Sequence, residues 1–229
     1  MDGGTPLDRV GAQAAGEVTP GMIVGLGTGS TATAFVKALG RRVAEGLRIT
    51  GIPTSAETER LARSLNIPLT DLDSVEVLDL CVDGADEIDP ALNVIKGRGG
   101  ALLFEKLVAR RAERYIIIGT DEKLVNQLGT RLPLPVEVIP VGWRHTARDL
   151  ARIGLDPVLR EVDGAPFVTD GGHYILDCET GGIKDARELA GRVKAITGVV
   201  EHGLFIDMVD LAMTVDAEGR ITTHESPSD

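Results

Sequence analysis

The segment MIVGLGTGSTATAFVK, residues 22–37, joins a short apolar run to a glycine-rich loop and then to helix-forming residues. An apolar run of this length, preceded by Pro20-Gly21 and followed by glycines, is typical of a buried strand. The helical stretch that follows runs from Ala32 to about Glu45. We therefore predict a strand, a loop and a helix in succession, which is the repeating unit of a parallel sheet.

The same alternation of strand and helix continues to about residue 125. Further strands are predicted at 47–52, 77–82, 94–96 and 115–119, and helices at 8–18, 55–65 and 101–113. Aromatic residues make up only 3% of the chain, so Val, Ile, Leu and Ala must fill the core, as they do in strands buried between helix layers. The predicted fold class is α/β, with a mostly parallel Rossmann-like sheet and helices on both faces.

The pattern changes after residue 130. Residues 132–140 are extended and interrupted by prolines, and shorter elements follow: helices at 143–153 and 188–196, and strands at 158–162, 173–178 and 203–206. We predict an α/β catalytic domain formed by residues 1–130 and 205–229, which rejoins its sheet after the insertion. Residues 131–204 are predicted to form a smaller α+β domain. The tail from about Thr222 is expected to be frayed.

Composition and charge exclude several classes of protein. The 229 residues carry a net charge of -11, which disfavours a general nucleic-acid binder because phosphate backbones require clustered Lys and Arg. No apolar run approaches about 18 residues and no signal peptide is recognisable, so we expect no membrane partner and a cytoplasmic location by default. Cys81 lies in an apolar run, which favours a buried free thiol over a disulfide or a metal-binding pair with Cys178.

The glycine-rich loop at residues 27–31 has the features of a phosphate cradle. Glycines let backbone N–H groups approach an anion, the following helix N-terminus adds a favourable dipole, and Thr28, Ser30 and Thr31 add hydroxyl donors. A dinucleotide-binding loop would need glycine in place of Ser30, and a Walker A loop would need a lysine before Lys37. A tight strand-to-helix turn without a ligand is the alternative.

The acidic sequence DGADEID, residues 83–89, directly follows a predicted strand. Ligands bind at the carboxyl ends of strands in open α/β sheets, so these acids are candidate site residues. A solvated acidic turn and a divalent-metal site are the alternatives. Against the metal, the DxDxDG spacing of a calcium loop is absent.

A third motif, KGRGGALLFEK, covers residues 96–106. Lys96 ends a predicted strand, the glycines allow a close backbone approach, and Glu105 falls in the first turns of the next helix. We expect Lys96 and Glu105 to face one cleft at the sheet end that carries Asp83 and Asp86. A glycine-rich turn with an ordinary surface glutamate is the alternative for this motif taken alone.

The three motifs, in this order, closely resemble those of type A ribose-5-phosphate isomerases. The similarity spans nearly the whole chain and includes residues 24–27, 134–140, 198–200 and 203–205. It implies an aldose–ketose isomerase that interconverts D-ribose 5-phosphate and D-ribulose 5-phosphate through an enediol, in the non-oxidative pentose phosphate pathway. It also implies a small-molecule sugar phosphate as ligand, no cofactor, no metal, and a homodimer or homotetramer.

The resemblance also implies roles for individual residues. Glu105 matches the catalytic base, Lys96 is expected to stabilise the enediolate oxygen, and Asp83 and Asp86 are expected to open the furanose ring and to move hydroxyl protons. The residues expected to bind substrate are Thr28, Gly29, Ser30, Thr31, Asp83, Gly84, Ala85, Asp86, Lys96, Gly97, Arg98, Gly99 and, at the phosphate, Lys123. The family often has a phosphate-binding lysine in its first helix; here Arg9 either replaces it or the contact is absent.

Rival interpretations stay open at this point. An amino-sugar phosphate deaminase or a coenzyme A transferase would share the fold, and the transferase would form an acyl bond through a glutamate. A sugar-phosphate sensor of a transcription regulator needs a DNA-binding module, for which a first strand beginning near Met22 leaves no room. A dinucleotide-binding module is opposed by Ser30 in the glycine loop.

Overall fold

The structure is a computed structural model that describes residues 4–225. The strands, in chain order, are β1 (Ile23–Leu26), β2 (Thr50–Pro53), β3 (Leu80–Gly84), β4 (Glu87–Ile88), β5 (Val94–Ile95), β6 (Tyr115–Thr120), β7 (Leu134–Val138), β8 (Asp156–Leu159), β9 (Glu161–Val162), β10 (Ala165–Pro166), β11 (Tyr174–Glu179), β12 (Val199–His202), β13 (Leu204–Phe205), β14 (Leu211–Val215) and β15 (Ile221–Glu225). The α-helices are α1 (Pro6–Gly16), α2 (Ser30–Ala44), α3 (Ala56–Ser64), α4 (Leu102–Ala109), α5 (Trp143–Arg152) and α6 (Ala186–Lys194). Within residues 4–225, no helix has both the length and the apolar character needed to cross a membrane.

The chain divides into two compact units. Among the described residues, the first unit comprises 4–85, 104–124 and 207–225, and the second comprises 86–103 and 125–206. The first unit is therefore assembled from three separate stretches of the sequence.

The first unit is built on a six-stranded sheet with the strand order β15-β14-β6-β3-β1-β2. All neighbouring strands are parallel except the edge pair β14 and β15, which is antiparallel. Successive side chains of a strand point to opposite faces. Val24 and Leu26 therefore pack in the core formed with α1 and α2, whereas Gly25 lies close to Cys81 and to Val108 of α4. Helices on both faces of a mostly parallel sheet confirm the predicted α/β class.

Side-chain caps fix where two helices of this unit begin. At α1, the Thr5 hydroxyl accepts a hydrogen bond from the Asp8 N–H while the Asp8 carboxylate accepts one from the Thr5 N–H. At α3, the Ser55 hydroxyl accepts a hydrogen bond from the Thr58 N–H at 3.1 Å. Each cap satisfies an N–H group that the first helical turn leaves without a partner.

The second unit has α+β architecture. Its main sheet is four-stranded and antiparallel, with the order β12-β7-β11-β8, and two smaller antiparallel sheets have the orders β13-β5-β4 and β10-β9. Its core contains Leu150 of α5 and Val193 of α6 together with Val136, Val138 and Leu176 of the main sheet.

Several segments differ from their predicted places, including residues 205–206, which the structure groups with the second unit. The predicted first domain contains residues 86–103, but the structure groups them with the second unit because β4 pairs with β5 and β5 pairs with β13. Residues 125–130 group with them, and the Val125 N–H donates to the Ile88 carbonyl. The tail from Thr222, predicted to be frayed, is part of β15 up to Glu225 because it pairs along its length with β14. Residues 226–229 lie outside the described part of the chain.

Candidate active site

The predicted site residues divide between the two units. The first unit holds Thr28, Gly29, Ser30, Thr31, Asp83, Gly84, Ala85, Glu105 and Lys123, and the second holds Asp86, Lys96, Gly97, Arg98 and Gly99. Apart from Glu105 on α4, the first group lies at or just after the carboxyl ends of β1, β3 and β6, which are adjacent in the sheet. This is the edge at which open α/β sheets bind ligands.

The start of α2 is arranged to receive an anion. Gly29 is the N-cap of this helix, with φ at +96°, a backbone conformation that favours glycine. Within residues 4–225, no side chain caps this helix end, so the N–H groups of its first turn lack a side-chain capping acceptor. Ser30 is exposed beside them, and a Cβ on Gly84 would lie 3.6 Å from the Cβ of Thr31. The end of β3 therefore lies beside the start of α2, a helix end that suits an anion.

Thr28 faces the protein rather than this helix end. Its hydroxyl lies 2.7 Å from the hydroxyl of Thr54, 2.9 Å from that of Ser55 and 3.2 Å from that of Thr58. Its N–H donates to Oδ1 of Asp83 at 3.1 Å. Both donors of Thr28 thus bind the protein, which leaves Gly29, Ser30 and Thr31 as the candidate phosphate donors of this loop.

Asp83 is fully buried at the end of β3. Its Oδ1 accepts hydrogen bonds from the N–H of Thr28 at 3.1 Å and from its neighbour Gly84 at 2.7 Å. Two backbone donors hold the carboxylate in one orientation against the glycine loop. This contact between the first and second motifs was not deducible from their separation in the sequence.

Glu105 lies in the first turn of α4 and is only 5% exposed. Burial first, and then the charges of Asp83, Cys81 and Glu105, raise the pKa of the Tyr115 phenol well above its usual value. Asp83 and Glu105 therefore both lie close enough to Tyr115 to act on it electrostatically. Two of the predicted catalytic carboxylates share one buried region of the first unit.

The two candidate phosphate-binding cations have different surroundings. Lys123 follows β6 in a short 3-10 helix, and its ammonium has no hydrogen bond or ion pair within residues 4–225. Arg9 lies against the turn between β14 and β15, where a Cβ on Gly219 would come within 2.8 Å of its Nη1. Lys123 is thus available to an anion, while the replacement of a phosphate-binding lysine by Arg9 stays a prediction.

In the second unit, Asp86 and the loop at residues 96–99 are joined by a direct hydrogen bond. The Asp86 N–H donates to the Ile95 carbonyl at 2.8 Å, which ties it to the end of β5. Its Oδ2 accepts from the Arg98 N–H at 3.0 Å. The side chain of Arg98 is exposed and, within residues 4–225, forms no hydrogen bond or ion pair. Asp86 therefore helps to hold a loop that presents a free guanidinium.

Lys96 is buried, with 3% of its surface exposed. Its N–H donates to the Gly203 carbonyl at 2.9 Å, and its Nζ lies 5.7 Å from the centre of the Phe205 ring. A Cβ on Gly203 would come within 2.1 Å of the Lys96 carbonyl, so this strand contact requires glycine. Gly97 then turns the chain with φ at +110°.

A cavity of about 320 Å³ adjoins this loop in the second unit, lined by Asp86, Arg98, Leu132, Pro133, Pro135, Arg160 and Asp177. Sequence reasoning missed Arg160 and Asp177, because neither belongs to a recognisable motif. A larger cavity of about 620 Å³ in the first unit borders Phe104 and Leu107 of α4 but contains no predicted site residue. Among residues 4–225, no three His, Cys, Asp or Glu side chains are grouped as a metal site requires.

Comparison with known sequences identifies related proteins along almost the whole chain. A family model described as Ribose 5-phosphate isomerase A (phosphoriboisomerase A) matches residues 50–219. A ribose-5-phosphate isomerase A from Nitrobacter hamburgensis is 52% identical over 224 residues, covering 93% of this chain and 96% of the relative.

Comparison with solved structures gives the same relationship. The ribose 5-phosphate isomerase A of Methanocaldococcus jannaschii superposes with a TM-score of 0.91 at 39% identity, covering 96% of this chain and 98% of the other. A D-ribose-5-phosphate isomerase in complex with phospho-erythronic acid superposes with a TM-score of 0.92 at 37% identity, covering 96% of this chain and 97% of the other.

Proposed function

The chain belongs to the ribose 5-phosphate isomerase A family, and from this membership we propose that it interconverts D-ribose 5-phosphate and D-ribulose 5-phosphate. The observation that carries the proposal is the near-complete match to isomerases of this name, at 52% identity to one of them. The carboxylates of Glu105 and Asp83, both buried and both raising the pKa of Tyr115, are the features of this chain that suit the chemistry.

The reaction moves one proton between two carbons of the open-chain sugar. In the aldose-to-ketose direction, Glu105 as carboxylate removes the proton from C2, which leaves an enediol with negative charge on oxygen. The carboxylic acid of Glu105 then returns the proton to C1. A base that is 5% exposed exchanges its proton slowly with bulk water, so the same proton can be delivered to the second carbon.

The other predicted catalytic residues supply charge and hydroxyl-proton transfer. Lys96 places an ammonium, itself withdrawn from water, to stabilise the enediolate oxygen. Asp83 and Asp86 assist the opening of the furanose ring and the exchange of the protons on O1 and O2. The backbone hydrogen bonds to Asp83 and Asp86 support these roles because they orient each carboxylate before substrate arrives.

The phosphate of the substrate is assigned to the start of α2 and to Lys123. The uncapped N–H groups at Gly29, Ser30 and Thr31 offer hydrogen bonds and a helix dipole, and Lys123 offers a full positive charge. The relative solved with phospho-erythronic acid binds a phosphorylated sugar acid, which supports a sugar phosphate as the ligand here. Gly84, Ala85 and residues 97–99 complete the proposed substrate contacts.

The remaining expectations follow from the family. The reaction belongs to the non-oxidative pentose phosphate pathway and proceeds without cofactor or metal. A cytoplasmic location and a homodimer or homotetramer complete the proposal, and the catalytic role is assigned to the domain predicted from residues 1–130 and 205–229.

The direct test is an isomerisation assay on ribose 5-phosphate with protein and buffers freed of metal by EDTA. We expect ribulose 5-phosphate to form at the same rate before and after chelation. Absence of product from well-folded protein would refute the proposed reaction. Activity lost with EDTA and restored by Mg²⁺ would instead assign the acids at residues 83–89 to a metal site.

A further inference from the structure

The side chain of Arg160, between β8 and β9, donates four hydrogen bonds within the second unit. Its Nε donates to Oδ2 of Asp177 at 2.8 Å and its Nη2 donates to Oδ1 at 2.5 Å, so the ion pair is two-pronged. Its Nη1 donates to the carbonyl oxygens of Gly97 at 2.9 Å and Arg98 at 3.0 Å. The side chains of Arg160 and Asp177 are 14% and 25% exposed. A partly buried fork of this kind is better ordered than an exposed ion pair and costs more to break.

This arrangement leaves Arg160 little capacity to bind an anionic substrate. Asp177 compensates its charge, and four donor contacts already engage the guanidinium. Arg98 differs in both respects, since its exposed side chain has no such partners within the described residues. Arg160 therefore acts on the loop backbone, whereas Arg98 is the cation that the loop presents.

Other contacts also constrain the conformation of residues 97–100. The Gly97 carbonyl accepts a second hydrogen bond from the Gly100 N–H at 3.0 Å, which closes a turn. On the other side, the Arg98 N–H donates to Asp86. Phe167 packs where a Cβ on Gly100 would stand, at 2.4 Å, and the Arg160 guanidinium lies 5.8 Å from the centre of the Phe167 ring. Glycines at three of the four positions 97–100 give this turn high intrinsic freedom, so its shape depends on these contacts.

We infer that Arg160, held by Asp177, is a positioning residue that fixes the backbone of residues 97–98 and thereby orients Asp86 and Arg98 for the substrate. The inference rests on the proposed function for its kinetic consequence, although the structural part can be measured without substrate. Lysine cannot replace Arg160, because one ammonium cannot span two carboxylate oxygens and two carbonyls in a plane.

The test compares Arg160→Lys and Asp177→Asn with wild type and with the control Arg192→Lys. Arg192 lies in the same unit and also contacts a carboxylate, Glu188, and a backbone carbonyl, that of Ile153, but it is half exposed and away from the loop. Amide hydrogen exchange of peptides covering residues 96–103 is measured on the free proteins at full length. Steady-state kinetics on ribose 5-phosphate and thermal unfolding are measured in parallel.

We expect exchange across the loop, including the Arg98 amide, to accelerate about tenfold in Arg160→Lys and less in Asp177→Asn, which keeps one side-chain oxygen. In Arg160→Lys, kcat/KM should fall about 10- to 100-fold, and part of this fall should come from a higher KM. The kcat/KM of Arg192→Lys should stay within twofold of wild type.

Unchanged loop exchange in a folded Arg160→Lys variant would overturn the inference, whatever its activity. Faster exchange with kcat/KM within twofold of wild type would also overturn it, since the loop would then not position catalytic groups. If both variants lose cooperative unfolding, Arg160 supports the whole unit rather than the loop, and the inference fails. Wild type that does not isomerise ribose 5-phosphate refutes the proposed function alone, because the exchange result still decides the structural role.

Discussion

The carboxylate of Asp83 occupies the space beside Gly27 that any larger side chain would need. A Cβ on Gly27 would lie 2.3 Å from Oδ1 of Asp83 and 2.6 Å from its Cα, so both the side chain and the backbone of β3 would have to move. The close contact between the end of β1 and β3 thus requires glycine at position 27, independently of the phosphate cradle predicted for this loop.

Gly27→Ala should therefore reduce both stability and turnover. We expect a loss of about 1–3 kcal/mol in the free energy of unfolding from overpacking, with a marked fall in kcat because Asp83 is displaced. Gly191→Ala is the control: Gly191 lies within α6, and a Cβ there would meet nothing within 4 Å. That variant should gain about 1 kcal/mol and keep full activity. Urea unfolding of both variants measures the expected loss and the expected gain in stability. A Gly27→Ala variant as stable as wild type would contradict the steric argument.

Glu105→Gln should abolish most turnover while the protein still binds its substrate. The amide has the shape of the carboxylate but cannot accept the carbon-bound proton, so kcat should fall by roughly 100- to 10,000-fold. Calorimetric titration with phospho-erythronic acid checks that the site still binds ligand. Glu113→Gln, an exposed glutamate shortly after α4, should behave as wild type. A Glu105→Gln variant with wild-type kcat would remove Glu105 from its role as base.

Lys123→Ala should weaken substrate binding without a cost in stability. Its ammonium has no internal partner within residues 4–225, so no stabilising contact is lost, but one charge is removed from the proposed phosphate site. We expect KM to rise about tenfold or more, with thermal unfolding unchanged. The control is Lys184→Ala, which removes an exposed lysine of the second unit and changes the net charge by the same amount. Equal KM values for the two variants would argue against phosphate binding by Lys123.

Stability should decline at alkaline pH, in part through Cys178. Burial, with Asp177 and Asp156 adding to it, raises the pKa of this thiol from 9.0 to about 12. Between these values the unfolded chain releases a proton that the folded chain retains, so the free energy of unfolding falls as pH rises, by about 2 kcal/mol at about pH 10.5. In Cys178→Ala, the free energy of unfolding should depend less on pH between pH 9 and 10. Above pH 10, part of the pH dependence should persist because the pKa of Tyr115 is also raised. Identical slopes for the two proteins in urea titrations across this range would refute the assignment.

The parallel sheet was predictable because its buried strands are short, apolar and separated by helical stretches. Motif order and the rule for strand ends also placed the acids after β3 and the glycine loop after β1 at one edge. Other features depended on pairing between distant segments. The two-residue strand β5 joins the second unit by pairing with Leu204 and Phe205 of β13, and no local sequence pattern predicts this pairing.

In the candidate site, too, some residues could be predicted from sequence motifs and others could not. Family motifs predicted catalytic roles for Glu105 and Lys96, whereas Arg160 lies in a strand-like run, VLREV, that carries no chemical signature. Its role becomes visible only when its donors are matched with Asp177 and the loop carbonyls. The polar sequence ITTHE at residues 221–225 similarly favours a frayed tail, but its backbone pairs with β14 and forms a strand.

The sheet of the first unit has a consequence for synthesis of the protein. β14 pairs in parallel with β6, although residues 121–210 separate them and most of the second unit is translated in between. A ribosome therefore releases β1, β2, β3 and β6 well before β14 can cover the open edge of β6. During that interval the nascent chain exposes an apolar strand edge, which is a template for wrong pairing. Rapid folding of the inserted unit, whose main sheet is antiparallel, would shorten the time for which chaperones must protect that edge.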